Sequence, residues 1–85
     1  MALTLLYFAR LREVLGMARE EITLPANLVN VGQLLDFLRA RGGAWQDALG
    51  DKKTVRVAVN QDLAANETPL KNGDEVALFP PVTGG

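Results

Sequence analysis

An α+β fold, with a mixed sheet and a helix packed across one face, is predicted by three features of this 85-residue chain. Alternating apolar stretches near both ends and around residue 57 read as strands. A strongly amphipathic helical pattern lies between them over residues 30–42. The elements follow in the order strand, strand, helix, strand, short strand, strand. A chain of this length supports one domain with a real but modest core.

Residues 3–8, LTLLYF, combine alternation with β-favouring side chains, and Thr4 marks the outward parity. Leu3, Leu5 and Tyr7 are therefore expected inside, with Leu6 and Phe8 outside. Residues 10–16 read as a short helical turn stopped by Gly16. EEITLP, residues 20–25, places Ile22 and Leu24 on one face and stops at Pro25, giving a second strand antiparallel to the first.

Asn30 is an N-cap residue for a helix running to Gly42, in which Val31, Leu34, Leu35 and Leu38 recur at helical spacing. Gly42 and Gly43 supply the C-cap, and Arg39 and Arg41 complement the dipole in the last turn. Residues 44–50 form a shorter helix with Trp45 and Leu49 on one side. Tyr7, Phe37 and Trp45 are assigned to the core.

VRVAVN, residues 55–60, turns Val55, Val57 and Val59 inward and Arg56 outward. Asn60-Gln61 suits a tight turn, followed by a short strand around Leu63. Asn72-Gly73 marks a further turn before residues 74–79, where Val76 and Leu78 face the core. A β-grasp arrangement uses this order, with the first and last strands side by side in the middle. The all-apolar run from Leu5 to Phe8 suits that central position.

Composition narrows the function. Nine Lys and Arg against ten Asp and Glu give a net charge of −1, so no basic footprint points to nucleic acid. No apolar run approaches the ~18 residues of a membrane span. The absence of Cys excludes a disulfide framework and fits a cytoplasmic location. The absence of His removes the commonest general base and transition-metal ligand, so no metal site and no resident cofactor are expected. The ten carboxylates are scattered among basic residues or paired in turns, and read as solvated surface.

The chain ends FPPVTGG, residues 79–85. With the β-grasp order, VNQDL at 59–63 and NGDEV at 72–76, this ending resembles the molybdopterin synthase small subunits, a family of ubiquitin-like sulfur carriers. A terminal Gly-Gly alone is shared with ubiquitin and other sulfur carriers, and the preceding Phe79 to Thr83 narrows the choice. The resemblance implies a β-grasp domain over residues 1–79 with an extended tail over 80–85. It implies that the Gly85 carboxylate is adenylated by an ATP-dependent, ubiquitin-activating-like adenylyltransferase and then converted to a thiocarboxylate. It also implies insertion of Pro80, Pro81, Val82, Thr83 and Gly84 into a large synthase subunit, which holds the pterin precursor.

The chemistry of the residues agrees. A protein without Cys or His cannot activate its own carboxylate, so catalysis must be external. Gly84 and Gly85 allow close approach of a narrow tunnel, while Pro80 and Pro81 end the ladder and favour an extended arm. At about 3.1–3.6 Å per residue, six residues reach roughly 20 Å. Ordering four of them costs about 4–8 kcal/mol of backbone entropy, so the body must dock as well. Phe79, Leu63, Phe8 and Leu6 are the candidate interface, with packing against the 10–16 turn as the alternative for these outward side chains. A ligated protein tag and a plain binding domain are the competing functions. Only Lys52, Lys53 and Lys71 are available for chain building.

Overall fold

The computed structural model describes residues 1–50 and 55–80. Five strands, β1 (Ala2–Tyr7), β2 (Arg19–Thr23), β3 (Arg56–Val59), β4 (Asp62–Ala64) and β5 (Glu75–Phe79), form one mixed sheet of order β2-β1-β5-β3-β4. The first and last strands lie together in the middle and run parallel, and the other neighbours are antiparallel. Helices α1 (Ala9–Leu15), α2 (Val31–Arg39) and α3 (Ala44–Leu49) complete the chain.

The core lies between the helices and one sheet face. Leu3, Leu5, Tyr7, Val57, Val76 and Leu78 meet Leu11, Val31, Leu34, Leu35, Leu38 and Leu49. Every strand residue in this set has the inward parity expected from alternation, because successive side chains point to opposite faces. Asn30 caps α2 as expected. Its side chain accepts from the Gln33 N–H at 2.9 Å, and Gln33 reaches back to the Asn30 N–H.

Several boundaries differ from expectation for identifiable reasons. The first strand ends at Tyr7 because Phe8, although extended, serves as the N-cap of α1 and Ala9 takes a positive φ of 52°. Helix α2 ends at Arg39 and not at Gly42. Beyond it the Arg41 and Gly42 N–H groups bond to Leu38 and Arg39, the tighter three-residue spacing common at helix ends, before Gly42 turns left-handed at φ 76°. Arg41 therefore lies outside the helix and does not serve its dipole. The Asn60-Gln61 turn forms as expected, with φ values of 50° and 73°.

Phe37 is a correction: it is 37% exposed, at the margin of the buried stripe of α2, with its ring centroid 5.8 Å from the Arg41 guanidinium carbon. Tyr7 is buried and Trp45 packs against the core, as expected.

Candidate docking face and tail root

The face of the sheet opposite the helices is built from the outward parity of each strand. Register sets Leu6 beside Ala77, Ala77 beside Ala58, and Ala58 beside Leu63. With strands about 4.8 Å apart, this apolar row spans about 14 Å across β1, β5, β3 and β4. Leu6, Ala77 and Ala58 are half-buried by their neighbours, and Leu63 on the edge strand is 72% exposed.

One step toward the end of β5 stands Phe79, half-buried, outward and paired with Arg56. Phe8 follows Tyr7, the partner of Leu78, so it comes level with Phe79. Its N–H donates to the Leu78 carbonyl at 3.1 Å and it is 46% exposed. The four expected interface residues thus share one continuous surface. Ala58, Ala77 and Arg56 belong to it too and were not singled out from the sequence, although strand parity alone places them there.

Pro80 follows Phe79 directly and ends the ladder. Pro81, Val82, Thr83, Gly84 and Gly85 lie outside the described residues, as do Asp51, Lys52 and Lys53. Among the described residues no three His, Cys, Asp or Glu side chains are placed to hold a metal ion, and no helix is long and apolar enough to cross a membrane.

Two carboxylates depart from the solvated role expected of them. Asp74 is 9% exposed and clamps the turns at the far end of the sheet. One of its oxygens accepts from the Asn60 side-chain amide at 2.9 Å and the other from the Lys71 N–H at 2.8 Å. Glu20 lies opposite Leu5 on the inward face of β2, where its Oε1 accepts from the Tyr7 hydroxyl and from Arg41, both at 2.9 Å. The Arg41 guanidinium carbon sits 4.5 Å from the Trp45 ring centroid, and Trp45 meets Tyr7 edge-on at 5.5 Å.

Burial alone raises the Glu20 pKa, but the hydrogen bonds from Arg41 and Tyr7 outweigh it and hold the carboxyl below its ordinary value of 4.5. Burial first, then the bond to Glu20, pushes the Tyr7 hydroxyl far upward, so it stays a donor. A carboxyl depressed by folding stabilises the protein above pH 4.5, and that stability is lost as pH falls through the lower folded value. Glu20→Gln is accordingly expected to flatten the loss of stability below pH 4.5, measured by urea unfolding across the acid range. Tyr7→Phe removes one donor and is expected to cost about 1 kcal/mol, or roughly 4–8 °C in Tm.

A mixed sheet with its first and last strands side by side in the middle and a main helix across one face define a ubiquitin-like β-grasp protein. The chain belongs to the ThiS family, whose profile matches residues 5–85. It is 44% identical over 80 residues to the molybdopterin synthase sulfur carrier subunit of Escherichia coli, covering 94% of this chain and 95% of that one. Among solved structures it is similar to the small archaeal modifier protein 1 of Haloferax volcanii. That similarity has a TM-score of 0.78 and 31% identity, over 95% of this chain and 98% of that one. It is also similar to a chain in the complex of subunits 1 and 2 of the molybdopterin-converting factor from Helicobacter pylori. There the TM-score is 0.68 and the identity 26%, over the full length of both chains.

Proposed function

We propose that this protein is the sulfur carrier subunit of a molybdopterin synthase, working in the cytoplasm, with Gly85 as its reactive residue. The observation that carries the proposal is the continuity of the site. Central strand β5 ends in Phe79, flanked by the Leu6, Ala77, Ala58 and Leu63 row, and passes directly into Pro80, after which the sequence runs PVTGG. The sulfur carrier relative and the two-subunit complex among similar structures support the same reading.

In the first step a Gly85 carboxylate oxygen attacks the α-phosphorus of ATP on an adenylyltransferase and pyrophosphate leaves. A sulfide-level nucleophile then attacks the acyl carbon, the C–S bond forms, and AMP leaves with the C–O bond electrons. In the large subunit the thiocarboxylate sulfur attacks a side-chain carbon of the pterin precursor, the C–S bond forming as a C–O bond at that carbon breaks and the oxygen leaves with its electrons. Hydrolysis of the acyl–sulfur bond leaves sulfur on the pterin and restores the Gly85 carboxylate. A second carrier supplies the second dithiolene sulfur in the same way. This chain supplies the acyl group, the thin arm and the docking face. It binds no cofactor itself, and ATP belongs to the activating enzyme.

The Haloferax modifier protein gives a second reading some weight, in which Gly85 forms an isopeptide bond to a target lysine. Reconstitution separates the two. Thiocarboxylated protein mixed with the large subunit and the pterin precursor is expected to yield dithiolene product with stoichiometric loss of sulfur from the carrier. Failure of that transfer, with conjugates forming in a cell extract supplied with ATP, defeats the carrier reading.

A further inference from the structure

Arg56 stands opposite Phe79 across the β3–β5 ladder. It points to the open face, since its neighbour Val57 is buried in the core, and it is exposed to solvent. Arg19, Arg39 and Arg41 each hold a carboxylate, at 3.0, 2.9 and 2.9 Å. Among the described residues Arg56 holds none. The carboxylates of the same strands are at the other end of the sheet. Glu75 is four residues back along β5 and Asp62 pairs with Val59, about 10–13 Å from the level of Arg56. Charge is thus segregated along the strand axis, with the free guanidinium beside the root of the tail.

A protein that receives the tail covers Phe79, and cross-strand neighbours lie only about 5 Å apart, so it covers Arg56 as well. An arginine taken out of water without a partner is strongly unfavourable, whereas a carboxylate accepts its planar fork in two parallel hydrogen bonds. Resting on the docking reading above, we infer that the large subunit presents an Asp or Glu carboxylate opposite Arg56, beside the mouth of its tail pocket. This contact discriminates between partners: a surface with an apolar patch but no acidic group at that point is rejected. The segregated charge also orients the approach, with its cationic end leading toward the acidic mouth.

The test measures association kinetics of full-length Arg56→Glu, Arg56→Gln and Leu63→Ala with the purified large subunit, at low and high salt. Both side chains are exposed, and unchanged thermal unfolding checks the fold. Arg56→Glu is expected to lower the association rate about tenfold or more at low salt, with the gap closing at high salt. Arg56→Gln is expected to fall between it and the parent. Parent-like binding by Arg56→Glu at low salt overturns the acidic contact. If Leu63→Ala alone weakens binding, the docking face stands and only the contact fails; if neither variant weakens it, the docking reading fails too.

Discussion

Deleting Gly85, or adding one residue after it, is expected to abolish sulfur transfer while leaving thermal unfolding unchanged. Every core residue described lies between Leu3 and Leu78, so the change in stability is expected to stay below the ~0.5 kcal/mol typical of inert sites. The chemical effect is far larger. One residue of extended chain moves the acyl carbon by about 3.3–3.6 Å, whereas a displacement of ~1 Å at a reacting centre already costs roughly a hundredfold. A side chain in place of hydrogen at the last position also widens the arm that must enter the pocket. The check is product formation in the reconstituted synthase, with Tm measured on the same samples. Transfer by either variant defeats the assignment of Gly85.

On the proposed docking, Phe79→Ala is expected to weaken binding to the large subunit by about 2 kcal/mol, roughly thirtyfold, because an aromatic at the root of the tail would then sit at the centre of the contact. Its effect on folding is expected to be smaller. Phe79 has the outward parity and is only half-buried, so truncation removes part of one ring's contacts and leaves no interior cavity. A fully buried Phe costs about 3–5 kcal/mol on truncation, enough to unfold many domains of this size. Here the loss is expected to be about 1 kcal/mol, or roughly 4–8 °C in Tm. Affinity measured well below the transition separates the two effects. A variant that is unfolded, or that binds as the parent does, contradicts the interface role.

The fold was legible because its signals are local. Alternation set the inward residues of all the long strands, Asn30 with the Val31 to Leu38 spacing set α2, and Asn60-Gln61 and Asn72-Gly73 set the turns. Family resemblance in the tail pointed to the chemistry. Features that depend on a partner elsewhere in the chain were harder to see. Glu20 reads as a surface charge in isolation, yet it shares the parity of Ile22 and so must face inward. Its donors, Tyr7 and Arg41, are 13 and 21 residues away. Phe37 reads as core by type, but it lies beside the apolar stripe and not within it. Arg56 reads as an ordinary outward charge until the register of β3 on β5 sets it against Phe79. Residues 81–85 lie outside the described residues, and their reading rests on residue identity alone.

Sulfur on Gly85 is detected by the intact mass of the protein isolated from its own cells, before and after alkylation of thiocarboxylates. A species heavier by the exchange of one oxygen for one sulfur, mapped to Gly85 and lost on incubation with the large subunit and the pterin precursor, is the expected result. An unmodified chain throughout, or Gly85 found only in isopeptide linkage to other proteins, contradicts it.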